Sequence, residues 1–250
     1  MENYVEQYFS FAVELLQTVI RESGAAIYQA AEVVAEAIEN DRDVLLFGSG
    51  HSALIARDAT GRAGGLVPVM AIQDIAEGDA ERIEGVAQAI VARYELRPGS
   101  VIIIISNSGI NAVPIDMALL SKEAGLKVIA ITSLAHSKSV ASRHSSGKKL
   151  YDEADIVIDV HSVRGDAAIE LPGSKLKSGA TSTLVGAAIL QSMTVQAAAL
   201  LAERGMKPPV FVSANVPEGD AHNLEMVTRY RSRLVRYGIP VTGMTKKHTK

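Results

Sequence analysis

The sequence predicts an α/β fold in which helices cover both faces of a parallel sheet. From residue 43 onward, five short runs rich in β-branched residues alternate with helical stretches. Each run is apolar throughout, as is typical of strands buried on both faces. The chain has 250 residues, 48% of them hydrophobic, so it is large enough for one sizeable core.

The first forty residues precede the alternating region and have two helical patterns. Apolar residues recur at spacings of three and four from Val5 to Ile20, and an alanine-rich amphipathic stretch runs on to Asn40. Between them lies Ser23-Gly24. Because glycine weakens a helix, we predict a break there and an N-terminal helical hairpin over residues 1–40.

The α/β core is predicted over residues 41–205, and a C-terminal extension over 206–250. The predicted strands are VLLF, LVPVMAI, VIIII, LKVIAIT and ADIVIDV. The predicted helices lie near residues 52–62, 80–93, 110–124 and 179–204. In the extension, PVFVSAN is predicted to be extended and a polar helix to span 219–236. Since no linker or repeat separates these parts, we predict a single domain over 1–250.

Composition excludes several classes of protein. The formal net charge of -3, without a basic patch, argues against a nucleic-acid partner. The absence of cysteine excludes disulfides and thiolate metal sites. No signal peptide is recognisable at the start, so we predict a cytoplasmic protein. Residues 178–202 contain no charged side chain, but their frequent Ser, Thr and Gln favour a buried central helix over a membrane span.

A glycine-rich turn, Gly48-Ser49-Gly50-His51-Ser52, follows the first predicted strand. Such turns bring backbone N–H groups close to an anion at a helix N-terminus. A P-loop is excluded, because no Gly-Lys-Ser/Thr follows. A dinucleotide fingerprint is a second hypothesis, with Gly50 and Ala53 in the turn and Asp74 as a ribose ligand.

A second polar turn, residues 106–111 (SNSGIN), follows the third predicted strand. Because the carboxyl ends of neighbouring parallel strands meet at one crevice, both turns are expected to reach one ligand. Serine hydroxyls and helix N-terminal N–H groups bind phosphate without lysine. The alternative is that these serines only form turns and cap helices.

Together the two turns resemble those of the sugar isomerase (SIS) domain family. The resemblance rests on Gly-x-Gly-x-Ser, Ser-x-Ser-Gly and the strands VIAITS and ADIVIDV, across about residues 40–205. Within the family, the chain is similar to N-acetylmuramic acid phosphate etherases, to phosphoheptose isomerase-like proteins and to uncharacterised bacterial members. The segment GSKLKSG contributes to the similarity to the etherases.

The resemblance implies a flavodoxin-like, three-layer αβα sandwich with a five-stranded parallel sheet, forming a homodimer or homotetramer. It also implies a phosphosugar ligand, and we expect no cofactor. No metal site is expected either, because the histidines lack a ligand spacing such as His-x-x-x-His. The residues expected on the phosphate are Gly50, Ser52, Ser106, Ser108 and Asn111.

Sugar isomerisation requires an acid or base beside the substrate. Glu170, close in sequence to Lys175, is the first candidate for this role, and Lys175 is an expected substrate contact. His51 and Glu81, the latter from the acidic stretch 77–84, are further candidates. His222 is expected to approach a site across a subunit interface.

Three functions remain open beside the isomerase. The predicted last helix of the core lacks Glu, His and Lys before Glu203, which favours a non-catalytic sugar-phosphate sensor. An etherase or lyase lacks the glutamate expected near Thr60-Gly61-Arg62. A dinucleotide-binding protein rests on Gly50, Ala53 and Asp74 alone.

Overall fold

A five-stranded parallel sheet forms the centre of the molecule in a computed structural model that describes residues 3–238. The strands lie in the order β2-β1-β3-β4-β5, which is the flavodoxin-like order. The five predicted strands are therefore confirmed. They are β1 (Val44–Gly48), β2 (Val69–Ala71), β3 (Val101–Ile105), β4 (Lys127–Thr132) and β5 (Ile156–Asp159).

Helices cover both faces of the sheet, and each face has its own apolar cluster. Alternate residues of a strand point to opposite faces. Leu46 and Ile103 therefore pack under α1, α2 and α7, whereas Leu45 and Ile102 pack under α3, α4, α8 and α9. The helices are α1 (Tyr4–Glu39), α2 (His51–Asp58), α3 (Val86–Val91), α4 (Ala112–Glu123), α5 (Leu134–Ser139), α6 (Leu150–Glu153), α7 (Ser182–Glu203), α8 (Gly219–Arg229) and α9 (Arg231–Arg236).

The predicted N-terminal hairpin is wrong, because residues 4–39 form one continuous helix. Ser23 faces the sheet and is buried, and its hydroxyl donates to the carbonyl oxygen of Asp159 at 2.9 Å. Gly24 lies inside the helix and has a negative φ. The contact with the end of β5 thus outweighs the weak helix propensity of Ser-Gly.

The second half of the chain contains a hairpin that the sequence did not predict. β6 (Ala167–Glu170) and β7 (Lys177–Ala180) pair in antiparallel fashion, so α7 begins three residues later than predicted. Two helices replace the one predicted over 219–236, and the helix predicted over 80–93 shortens to α3. Residues 239–250 of the predicted extension lie outside the described residues.

Helix α7 is long and apolar enough to cross a membrane by length and composition. In this fold it packs against α1 and α2. Its buried residues, among them Val185, Ile189, Leu190 and Met193, belong to the apolar cluster beneath α1. The apolar residues that would permit α7 to span a membrane pack against other helices in this fold.

Candidate functional site

Two loops meet at the carboxyl ends of adjacent strands. Loop 1 (residues 48–52) follows β1 and loop 2 (residues 106–111) follows β3, and the strand ends Gly48 and Ile105 are register partners. The chain crosses from β1 to β2 on one side and continues to β3 on the other. This is a topological switch point, where open α/β sheets bind their ligands.

Loop 1 requires its glycines for steric reasons. A Cβ on Gly48 would lie 2.5 Å from the carbonyl group of Ser52, and Gly50 has a φ of 56°. These glycines allow α2 to begin at once after β1. The Ser52 hydroxyl, at the start of α2, makes no hydrogen bond within residues 3–238, so it is available to a ligand.

Asp74 supports the shape of loop 1 from the neighbouring strand. Its carboxylate is 3% exposed and accepts hydrogen bonds from Ser49 Oγ (2.6 Å), Ala76 N (3.0 Å) and Gly78 N (2.9 Å). A buried carboxylate that is bonded three times is not presented to a ribose. The structure thus removes the residue on which the dinucleotide hypothesis rested.

Loop 2 is also held by its own hydrogen bonds. The Gly109 N–H donates to Ser106 Oγ at 3.2 Å, and Ser162 Oγ donates to Asn107 Oδ1 at 2.7 Å. Ser106 therefore has the structural role that turn formation implies. The half-buried Ser108 hydroxyl has no hydrogen-bond partner in the described part of the chain.

A narrow cleft of only about 10 Å³ separates the two loops and reaches the start of α7. Ligand pockets usually enclose roughly 300–1,000 Å³. The cleft of one chain is therefore too small to enclose a whole sugar phosphate. Its lining residues are Ser52, Ile55, Ile105, Asn107, Ile131, Val160, Ser182 and Gly186.

The sequence of residues 7–133 matches the family model described as the SIS domain. The chain belongs to the SIS domain family. The UPF0309 protein of Geobacillus kaustophilus is 41% identical over 239 residues, which are 92% of this chain and 95% of that protein. The predicted resemblance to the SIS family is thereby confirmed.

Solved structures share this SIS fold at low sequence identity. A phosphoheptose isomerase from Neisseria gonorrhoeae has a TM-score of 0.59 and 20% identity, covering 78% of this chain and 96% of its own. The Vibrio vulnificus NanR protein complexed with ManNAc-6P has a TM-score of 0.51 and 16% identity, covering 93% and 70%. These similarities support the three-layer fold.

In this SIS domain, Glu81 lies against loop 2. Its backbone carbonyl accepts the N–H of Val113 in the first turn of α4 at 3.0 Å, and its side chain lies near that of Asn111. Burial raises the pKa of the Glu81 carboxyl above its usual range, and the charge of Asp74 adds to this. Asn111, Arg82 and Arg143 act in the opposite direction. The structure thus brings Glu81, a predicted catalytic residue, to loop 2.

His51 belongs to loop 1 but does not line the cleft. It is exposed and lines a separate open cavity of about 200 Å³ with Gly50, Leu54, Arg57 and Glu77. Glu77 has a φ of 49°, which is uncommon for a residue with a side chain. His51 and its chain neighbour Ser52 thus line different cavities.

The other predicted site residues make no hydrogen bond or ion pair with either loop in the described part of the chain. Glu170 is exposed and pairs with Lys177 across the β6–β7 hairpin at 3.1 Å. Lys175 is exposed in the turn of the hairpin, and His222 Nε2 lies 2.8 Å from the carbonyl oxygen of Val210.

Asp166 occupies the N-terminus of α7 and was not predicted from the sequence. Its carboxylate accepts the N–H groups of Thr181 (3.0 Å) and Ser182 (2.8 Å) and the Ser182 hydroxyl (2.6 Å). A carboxylate of the chain therefore already occupies this helix end. Ser182 lines the cleft with its hydroxyl engaged, unlike Ser52.

Arg143 was also missed. It follows loop 2 by 32 residues in the sequence, yet its Nη1 donates to Asn111 Oδ1 at 2.8 Å. The only signal was the richness of residues 136–149 in Ser, Lys and His, which is equally typical of an exposed loop.

Proposed function

We propose that this SIS-domain protein binds a phosphorylated sugar or amino sugar, with the phosphate between loop 1 and loop 2. The observation that supports this is the pair of unengaged hydroxyls, Ser52 and Ser108, in loops at the ends of adjacent strands. The backbone of Gly50 opens the approach to the α2 N-terminus. Ser106 and Asn111 keep loop 2 in shape beneath the ligand.

The reaction that suits the site is proton transfer of the sugar isomerase type. Such a reaction moves a proton between adjacent carbons through an enediol. In the proposal, Glu81 takes and returns this proton, because a carboxyl with a raised pKa is better matched to neutral pH. His51, within loop 1, is the second candidate for this proton transfer.

A non-catalytic sugar-phosphate sensor is the second candidate function. The start of α7 presents Ser182 and Gly186 to the cleft, without an acid or an imidazole. Glu170, the acid predicted from the sequence, is engaged with Lys177 on the surface. Binding without turnover is the behaviour expected from this arrangement.

A second copy of the chain completes the site in this proposal. Val5, Phe9, Val13 and Ile20 are 53–73% exposed along α1, and their spacing places them on one side of the helix. Apolar stripes of this kind are typical of subunit interfaces. The homodimer or homotetramer, its cytoplasmic location and any contribution of Glu170, Lys175 or His222 from a partner are parts of the proposal.

A thermal-shift panel tests the binding proposal. Pentose, hexose, heptose and amino-sugar phosphates and inorganic phosphate are compared with NAD, ATP and FMN. A ligand at a hundred times its Kd stabilises by about 2.7 kcal/mol, or several degrees for a chain of this size. We expect a shift with a sugar phosphate and none in the Ser52→Ala/Ser108→Ala double variant.

The matched control changes two exposed serines outside the loops, Ser178→Ala/Ser192→Ala, and should keep the shift. A shift with a nucleotide alone would contradict the proposal. Turnover of the bound sugar, followed by the aldose-to-ketose ratio, then separates the isomerase from the sensor.

A further inference from the structure

The Ser- and His-rich segment after α5 is fixed over loop 2. We call residues 142–146 the strap. The Arg143 N–H donates to the carbonyl oxygen of Ile110 at 2.9 Å, and Arg143 Nη1 donates to Asn111 Oδ1 at 2.8 Å. Arg143 thus contacts loop 2 through both its backbone and its side chain.

Neighbouring contacts hold the strap in place independently of the Arg143 side chain. His144 Nε2 lies 2.9 Å from Asp116 Oδ1, and both side chains are 8% exposed. The N–H and hydroxyl of Ser145 donate to the Glu84 carboxylate at 2.6 and 2.7 Å. Because these contacts fix the two residues directly after Arg143, removing the guanidinium should leave the strap where it is.

The two loops lack a cation of their own for a phosphate. Their sequences contain no Lys or Arg, and His51 lines a separate cavity rather than the cleft between the loops. One N–H of the first turn of α4, that of Val113, is already bonded to Glu81. Helix N-termini alone provide only part of the charge that a phosphate monoester requires.

The guanidinium of Arg143 has N–H donors that make no hydrogen bond within residues 3–238. Only Nη1 is engaged within residues 3–238, and the residue is exposed. Its planar fork matches two phosphate oxygens at once. The bond to Asn111 fixes the side chain before any ligand arrives, which lowers the entropy cost of binding.

We propose that Arg143 is the cationic binding residue of this site, donating from the strap to the phosphate oxygens of the sugar phosphate and selecting phosphate esters over uncharged sugars. This inference rests on the proposed function. It makes Asn111 the link between the anion and Glu81, since its side chain accepts a hydrogen bond from Arg143 and lies near Glu81.

The test measures Kd by isothermal titration with inorganic phosphate and with the sugar phosphates of the panel. Arg143→Gln should weaken binding about 10–100-fold, the usual effect of losing hydrogen bonds to a charged group. The affinity of Arg143→Lys should lie between those of the unmodified chain and Arg143→Gln, because lysine keeps the positive charge but lacks the planar fork of donors. The affinity of Arg143→Gln should also depend less on salt concentration.

Arg164→Gln is the matched control, since Arg164 is exposed in the loop after β5 and makes no hydrogen bond in the described region. It should bind as the unmodified chain does. If Arg143→Gln binds with unchanged affinity, or if only Arg164→Gln loses affinity, the role of Arg143 is refuted while the proposed function stands. No binding of any phosphate compound by the unmodified chain would overturn the proposed function and this inference together. If Arg143→Gln does not fold, the Kd of Arg143→Lys is compared with that of the unmodified chain instead, and an unchanged Kd would refute the role of Arg143.

Discussion

At the residue scale, the serines of the two loops divide into two kinds. Ser49 and Ser106 are buried, and both hydroxyls are hydrogen-bonded. Ser49 donates to Asp74, and Ser106 accepts the N–H of Gly109. Ser52 and Ser108 keep theirs unengaged in the described part of the chain. Turn formation and ligand binding, which appear as alternatives in the sequence, are therefore assigned in our proposal to different serines of the same loop.

Glu81 provides a test of the electrostatics of the site. Burial raises the pKa of its carboxyl in the folded state, so the folded chain holds this proton more tightly than the unfolded chain does. The stability contributed by the proton is complete below the unfolded pKa and is lost as pH rises through the folded pKa. Glu81→Gln, which removes the charge, should therefore stabilise the protein at pH 7.5 more than at pH 4.5.

Urea unfolding of both proteins at the two pH values measures this difference. Taking the variant against the unmodified chain at each pH cancels the other titrating groups. Glu218→Gln, on the exposed surface before α8, is the matched control. Equal effects of Glu81→Gln at both pH values would show that Glu81 is solvated in the folded protein.

At the element scale, α1 is held as one helix by its contact with β5. Gly24 has a helical backbone, and nothing lies within 4 Å of the position where a Cβ would be added. Gly24→Ala should therefore stabilise the protein by about 0.5–1 kcal/mol, because alanine loses less backbone entropy in a helix. The melting temperature should rise by roughly 1–4 °C.

Gly48→Ala is the contrasting variant, because its Cβ would lie 2.5 Å from backbone atoms of Ser52. It should lower the melting temperature and abolish ligand binding by displacing α2. A lower melting temperature for Gly24→Ala would indicate that the chain bends at Ser23-Gly24, as the sequence pattern first suggested.

At the scale of the whole molecule, the proposed self-association rests on the exposed apolar side of α1. Phe9→Glu/Ile20→Glu places two charges among side chains that are 65% and 73% exposed in the single chain. If this side is the subunit interface, charges there disfavour association because they are desolvated without partners. Light scattering should show a dimer or tetramer for the unmodified chain and a monomer for the variant.

Leu224→Glu, at an exposed leucine of α8, should leave the assembly unchanged. The monomeric variant should also lose the ligand-induced thermal shift, because the cleft of one chain is too small for a sugar phosphate. A monomeric unmodified chain that still binds the ligand would refute the shared site.

The sequence predicted the sheet and the two loops well because their signals are local. Runs such as VIIII can be buried on both faces only in a covered sheet, and a polar turn after such a run falls at the carboxyl edge of that sheet. The pairing of loop 1 with loop 2 then follows from general rules of parallel sheets. Glu81 could also be predicted as a candidate, because it lies in the acidic stretch that follows β2.

Other features could not be predicted, because they depend on contacts between distant parts of the chain. The Ser23 hydroxyl meets the end of β5, 136 residues away, and this contact keeps α1 continuous. Glu170 is one partner of a hairpin pair, and Lys177 lies opposite it only once β6 and β7 align.

By itself, the sequence determined the α/β class, the strands, the family resemblance and the position of two hydroxyl-rich loops. The tertiary structure alone decided which hydroxyls remain unengaged, which acid lies at loop 2 and which cation accompanies it. Propensity and periodicity describe a residue and its near neighbours, whereas Arg143 reaches Asn111 only because β3 and β4 are adjacent in the folded sheet.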